Sequence, residues 1–290
     1  MAFGVKNPNQ QVFQAAARTE NPTQHDVFYF CDFHQHLAPN SSGLYAEGGI
    51  VAGRQSGGTI SSNPSTGIAA FGITACSGVI ELGTSAASNN TASSGVGFYN
   101  GVQYRVVPGI QTPTSGIISK YEYETLIRTG SVIFNNAASL GGWIRCGYAN
   151  NSVGTTQPGS GIYFEFRQNA TTNDTTFWIV WRESSSEERF NTGVTVSTST
   201  TYRLYLSIER NTAGVVTTTY KIKNMTTGTN TEGTASPANT ARIPTGTTPM
   251  GAGVSIAREN SITATIIILL IDYIGVRIRR PLNREIGLGG

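Results

Sequence analysis

Charge is scarce in this chain. Of its 290 residues only 13 % are Asp, Glu, Lys or Arg, roughly half the share usual in a soluble globular domain. Lys and Asp number only 4 each along the sequence, and the formal net charge is +3. So small and dispersed a charge speaks against a nucleic-acid partner. Cysteine is sparse too: Cys31, Cys76 and Cys146 are odd in number, widely spaced and without a CxxC pair, unlike a disulfide scaffold. Long apolar runs are missing. The longest, Thr265 to Ile271, is far short of the roughly 18 residues of a membrane span, so no membrane partner is expected. The N-terminus, Met1 to Gln11, is polar and rich in Pro and Asn, unlike a signal peptide. The expectation is a soluble protein made in a cytoplasm.

Catalytic patterns are equally thin. There is no G-x-S-x-G elbow, and His25, His34 and His36 lie near one end with no triad order. Gly48-Gly49 and Gly57-Gly58 lack the helix and Lys that a phosphate cradle needs.

What is present is Thr, Ser, Asn and Gly, at 37, 26, 21 and 34 residues, around a hydrophobic share of 38 %. β-branched and aromatic residues favour pleated, half-buried surfaces, while Gly and Asn supply turns. From Val27 onward short alternating runs dominate. In TYRLYLSIER (201–210), Tyr202, Leu204, Leu206 and Ile208 share one face. In VVTTTYKIK (215–223), Val216, Thr218, Tyr220 and Ile222 do the same, and the linker from Asn211 to Gly214 predicts a hairpin. IYFEFR (162–167) places Ile162, Phe164 and Phe166 inside, Glu165 and Arg167 outside. Further runs at 26–33, 69–74, 78–83, 96–107, 121–128, 177–183, 254–257 and 264–279 bring the total to about a dozen strands with no convincing internal helix. The fold class is therefore all-β, a sandwich of two antiparallel sheets. The last run is apolar on both faces through Leu270, as in a central strand, and Asp272 marks either a buried acid or a bulge. The stretches 35–67, 84–95 and 226–250 read as surface loops. Residues 1–26 form an N-terminal arm, 27–280 the sandwich and 281–290 a C-terminal tail.

Several constellations could carry chemistry. Glu122 and Glu124 sit at i and i+2 on a strand, about 7 Å apart on one face. A glycan hydrolase would need such a pair in a cleft with a raised pKa. The intervening Asp and third acid of laminarinase-type glucanases are missing. Two polar residues on a wet face are the plainer meaning. His25, Asp26, Cys31, Asp32, His34 and His36 mix hard and soft ligands at no recognised spacing, so no metal and no cofactor is expected. Cys146, inside GWIRCGYA, reads as an apolar filler. Trp178 faces away from Phe177, Ile179 and Trp181, and Tyr121 and Tyr123 face away from the two Glu. Trp178, Tyr121 and Tyr123 are therefore the candidates for stacking a glycan. The 16 Arg against 4 Lys suit protein–protein contact, where Arg is enriched and Lys depleted. Arg277, Arg279, Arg280 and Arg284 read as an interface or a solvated edge.

The order DVFYFCDF, YEYETLIR, GWIRCGYAN, GIYFEF, FWIVWRE, TGVTVSTSTTYRLYLSIER and LLIDYIGVRI resembles the concanavalin A-like jelly roll of structural proteins of tailed bacteriophages. The likeness spans roughly 27–280. It implies a jelly roll carried on the virion, as a non-enzymatic capsid decoration or cement protein that stabilises the head shell. The alternative it implies is a tail-associated, glycan-binding receptor protein. The metal-binding Asp cluster of sugar-binding members is lacking. A major capsid protein or another virion protein would be the partner, and a homotrimer or homodimer the oligomer. Phe3, Val5, Val12 and Phe13 on the arm are the candidate partner-binding residues, because apolar side chains on a detached segment gain little unless they pack on something else.

Overall fold

The computed structural model describes residues 24–31, 44–47, 50–55, 59–62, 79–84, 92–98, 119–134, 140–150, 157–169, 171–184, 186–210, 215–244, 250–260 and 266–281. Among them are strands and one 3-10 turn, Thr240–Arg242, and no α-helix. The strands are β1 (Gln24–Cys31), β2 (Leu44–Glu47), β3 (Ile50–Gln55), β4 (Thr59–Ser62), β5 (Ile80–Gly83), β6 (Ala92–Phe98), β7 (Ser119–Thr129) and β8 (Gly141–Ala149). They continue as β9 (Gly161–Gln168), β10 (Thr176–Glu183), β11 (Ser186–Thr195), β12 (Thr201–Arg210), β13 (Val216–Asn224), β14 (Asn230–Ala235), β15 (Gly251–Asn260) and β16 (Ile268–Pro281).

Two eight-stranded sheets form the sandwich. The first runs β14-β13-β12-β7-β16-β5-β4, with β1 also paired to β16; the second runs β11-β10-β9-β8-β15-β6-β3-β2. Every pairing between these strands is antiparallel. The all-β sandwich expected from the sequence is the observed fold.

The alternation seen in the sequence builds the core. Phe164, Phe166, Leu204, Leu206, Tyr220, Ile222 and Ile267 are all buried between the sheets. The polar ends of core aromatics are satisfied by the opposite layer, as buried donors require. Tyr123 Oη on β7 donates to the Gly253 carbonyl on β15 at 2.9 Å, and Tyr148 Oη on β8 donates to the Glu122 carbonyl at 3.0 Å. Trp181 Nε1 donates to Thr218 Oγ1 at 2.9 Å. These three bonds fix how the layers sit on each other.

β16 lies centrally between β7 and the β1/β5 pair. Its register slips between Ile271 and Tyr273, so Asp272 occupies a bulge. The extra residue switches the inward parity: Leu269 and Ile271 point inward before it, Ile274 and Val276 after it. On the outer side Leu270 and Tyr273 pack with Val79 and Leu126, which explains a strand apolar on both faces.

Two expectations need correction. The stretches 35–67, 84–95 and 226–250 are not simply loops: the first holds β2, β3 and β4, the second the start of β6 and the third β14. β14 (NTEGTA) is an edge strand whose outward positions are exposed. Edge strands need no apolar alternation, so the pattern that reveals central strands is missing there. The sandwich also begins at Gln24 rather than at residue 27, and β16 runs on to Pro281. The arm residues Phe3, Val5, Val12 and Phe13 lie outside the described residues, as do His34, His36 and the run 69–74.

Candidate functional site

The two outer faces of the sandwich differ in kind. On the first sheet, β7 turns Glu122 and Glu124 outward, opposite Tyr121 and Tyr123. Glu122 accepts from Tyr205 Oη at 2.6 Å and pairs with Lys120 at 3.4 Å and Arg277 at 3.9 Å. Glu124 pairs with Arg203 at 2.6 Å and takes a hydrogen bond from Tyr273 Oη. Burial first, then the Glu124 charge, pushes the Tyr273 phenol up. Each carboxylate is thus held by cations and phenols on adjacent strands.

Tyr121 and Tyr123 do not present themselves to a ligand. Both are buried in the core, with Tyr148 packed edge-on at centroid distances of 6.4 and 6.1 Å. The outward positions on β7 belong to the two Glu, so the inward ones become core. Their role as glycan-stacking residues is withdrawn. Cys146 is the buried apolar filler expected, its thiol pushed up by burial alone.

The second sheet's outer face is built differently. Because Ile144, Phe164 and Ile179 face the core, the alternate positions turn outward: Trp143 and Arg145 on β8, Tyr163, Glu165 and Arg167 on β9, Trp178 and Arg182 on β10. β11 adds Glu187 and Arg189, since the tight β10–β11 hairpin sets Glu187 opposite Arg182. The β8–β9 register likewise sets Arg145 opposite Glu165. Asp174 joins from the β9–β10 connection, where the Asn169 side chain accepts from the Thr171 and Thr172 amides and shapes the turn.

These charges form one lattice. Glu165, fully buried, takes Arg145 Nε at 2.8 Å, Arg167 Nε at 3.3 Å and Arg189 at 3.5 Å. Glu187 joins Arg167 at 2.7 Å to Arg182 at 2.8 Å. Asp174 accepts the Arg167 amide at 3.0 Å and both terminal nitrogens of Arg189. Arg182 Nε is anchored on the Pro158 carbonyl at 2.6 Å. Among the described residues the lattice joins four guanidiniums to three carboxylates. Burial pushes the Glu187 carboxyl up, but the hydrogen bond from Arg167 and the charges of Arg167, Arg182 and Arg189 outweigh it and hold it below its ordinary value.

The aromatics are woven into this lattice. Arg145 lies over the Trp143 ring at 4.2 Å and Arg189 over Trp178 at 4.6 Å. Tyr163 packs with Val180, Ala149 and Trp178 on the same outer face. It fits only because its neighbours lack side chains: a Cβ on Gly147 would stand 2.7 Å from Tyr163 Cα, and one on Gly161 2.8 Å from Tyr163 Cδ1. Trp143 Nε1, Tyr163 Oη, Trp178 Nε1 and Arg189 Nε are buried and find no hydrogen-bond partner among the described residues. An unmet buried polar atom costs about 1–3 kcal/mol, so four on one face is a concentrated deficit. Burial, then the Glu165 charge, raises the Tyr163 phenol, which therefore keeps its proton as a donor at neutral pH.

The outward setting of Trp178 follows from strand parity and was legible in the sequence. The arginine–carboxylate lattice around it was not singled out. Its signal was Arg and Glu alternating at outward positions on consecutive hairpins.

No family model and no curated protein matches the chain. Among solved structures, a protein of unknown function from Shewanella oneidensis MR-1 is similar at 18 % identity, with 97 % of each chain covered and a TM-score of 0.53. Basic winged bean lectin, solved with Tn-antigen, is similar at 11 % identity over 89 % of this chain and 100 % of the lectin, with a TM-score of 0.52. Winged bean acidic lectin, complexed with methyl-α-D-galactose, is similar at 13 % identity over 88 % of this chain and 99 % of the lectin, with a TM-score of 0.52. At these identities the likeness establishes architecture: the fold is the concanavalin A-like jelly-roll sandwich of the legume lectins.

Proposed function

We propose that this protein is a non-enzymatic saccharide-binding jelly roll whose ligand face is the outer face of the second sheet. The observation that carries the proposal is the set of four unmet donors beside a desolvated arginine–carboxylate lattice. A face needed only for stability gains little from buried ion pairs and loses by leaving donors unmatched. Lectins of this fold solved with Tn-antigen and with methyl-α-D-galactose supply the ligand class by analogy. Binding without turnover follows from the carboxylates. Glu165, Glu187 and Asp174 are each bound to guanidinium groups, and Glu122 and Glu124 to Arg and Tyr on the opposite face. None stands ready as a general acid or base.

The resemblance to tailed-phage proteins supplies the setting. The chain is a tail-associated attachment protein of the virion, with the arm residues Phe3, Val5, Val12 and Phe13 docking it to a virion partner. A saccharide array probed with the full chain tests the binding. Specific retention, lost in Trp178→Ala and with no shortening of the bound glycan, is the expected result. Retention of nothing above background, or undiminished binding by Trp178→Ala, overturns it.

A further inference from the structure

We infer that the ligand of the second sheet's outer face is an anionic saccharide, one bearing carboxylate or sulfate groups, rather than a neutral sugar. This deepens the proposed function and rests on it. A neutral sugar presents hydroxyls, each both donor and acceptor, and a site for it must offer acceptors as well as donors. Here every carboxylate oxygen already faces a guanidinium. Glu165 gives Oε2 to Arg145 and Oε1 to Arg167 and Arg189. Glu187 gives Oε1 to Arg167 and Oε2 to Arg182. Asp174 gives both oxygens to Arg189 and one also to the Arg167 amide.

Of the buried atoms around the lattice without a hydrogen bond, five can donate (two indole N–H groups, the Tyr163 hydroxyl, Arg167 Nε and Arg189 Nε), against one amide acceptor, Gln168 Oε1, at the end of β9. Such a set matches a carboxylate or sulfate, whose oxygens accept without needing to donate, and hydrogen bonds to charged acceptors are the stronger kind.

The aromatic faces point the same way. A neutral sugar gains much of its affinity by stacking on an open ring, but Arg145 lies over Trp143 and Arg189 over Trp178. The rings instead hold the guanidinium planes flat and leave their N–H edges for in-plane contact with an anion. Exposure on this face is greatest at β11, where the Glu187 and Arg189 side chains are 25 % and 17 % exposed. Trp143 and Tyr163, at the other end, are each 1 % exposed.

The test measures the full chain binding polygalacturonate (carboxylate only), dextran sulfate (sulfate only), plain dextran and single-stranded oligothymidylate. Binding to one or both charged polysaccharides at least ten-fold tighter than to dextran is expected, and the stronger of the two names the anion. Tyr163→Phe and Trp178→Phe should each weaken it about ten-fold or more. Tyr163→Phe should not lower the melting temperature, because the hydroxyl it removes has no hydrogen-bond partner among the described residues; Trp178→Phe also gives up ring area under Arg189, so its binding is compared at a temperature where both variants are fully folded. That pairing separates recognition from fold loss. Charged-polymer binding that survives both Phe variants intact is diffuse attraction and overturns the inference. Preference for dextran overturns it while leaving the saccharide reading standing. Binding of oligothymidylate alone overturns both readings. Binding to no polymer overturns the anionic ligand, and the array result then decides the broader reading.

Discussion

Replacing Glu165 with Gln keeps the shape of the side chain and removes the charge that three guanidiniums share. Glu165 is 0 % exposed, with nitrogens of Arg145, Arg167 and Arg189 at 2.8, 3.3 and 3.5 Å. At an effective dielectric near 20, one such contact is worth about 5 kcal/mol before the desolvation of both ions is subtracted. Breaking a buried pair from one side costs about 3–5 kcal/mol, because the partner charges stay buried. The amide end of Gln adds to this by turning N–H donors toward cations that are themselves donors. Total stability for a domain is about 5–15 kcal/mol, so the loss is a large fraction. With a urea slope of about 3 kcal/mol per molar, at the upper end for small proteins, the midpoint falls by about 1 M or more. Urea titration followed by tryptophan fluorescence reads this directly. Glu124→Gln is the control: its partner Arg203 is 53 % exposed, and such a pair contributes about 0.2–1 kcal/mol. In 1 M salt the control's cost should vanish while that of Glu165→Gln persists, since buried pairs are poorly screened. A Glu165→Gln penalty below about 1 kcal/mol, or one that fades with salt, would refute a desolvated lattice.

Leu206 is fully buried between the sheets, so Leu206→Ala should cost about 2–5 kcal/mol in equilibrium unfolding. A loss under about 0.5 kcal/mol is what surface changes give, and would contradict the face assignment. Acid stability follows from Glu187, whose carboxyl is held below its ordinary value of 4.5. A depressed folded value means the contribution is complete above the unfolded value and is lost as pH falls through the folded one. Melting temperature should therefore hold from neutral pH down to about 5 and decline below 4.5. In Glu187→Gln the neutral-pH melting temperature should be lower and the acid decline shallower, and an unchanged decline would contradict the pairing.

How much of this was legible in the sequence depended on whether one face of a strand stayed wet. β12 and β13 alternate cleanly because Arg203, Lys221 and Lys223 meet solvent, and their hairpin register follows from that pattern. β8 shows no alternation at all: every residue from Gly141 to Ala149 is buried, with Trp143 and Arg145 covered on the outer face as firmly as Ile144 and Cys146 on the inner. A strand buried on both sides carries no period-two signal, so β8 does not stand out among the alternating runs. β14 fails for the opposite reason: paired along its whole length with β13, it alternates only between exposed and half-buried positions until Ala235. The bulge at Asp272 was foreshadowed by one acid at the inward parity of Ile274 and Val276. The lattice needed register, not composition. Arg145 and Glu165 are 20 positions apart and become partners only once Cys146 is set against Phe164.

The contrast between the two outer faces argues for where function sits. On the first sheet the cations reach water: Arg203 is 53 % exposed, and Lys221 and Glu232 are 54 % and 57 % exposed at 3.0 Å separation. Such pairs are screened, contribute little and keep the surface soluble. On the second sheet Arg145, Glu165 and Arg167 are each at most 7 % exposed, and their desolvation offsets most of what their attraction supplies. An apolar replacement of similar volume would serve stability as well or better. The arrangement does gain one property that an apolar face lacks: guanidinium planes held rigid by carboxylates on one side and indole rings on another. Rigid donors lose little freedom when a ligand arrives, which is the condition for binding a small anion tightly on an otherwise flat sheet. The unmet N–H groups of Trp143 and Trp178 and the Tyr163 hydroxyl border those planes. Their cost in the free protein is returned when an acceptor is brought to them, which supports the proposal of a ligand on the second sheet's outer face.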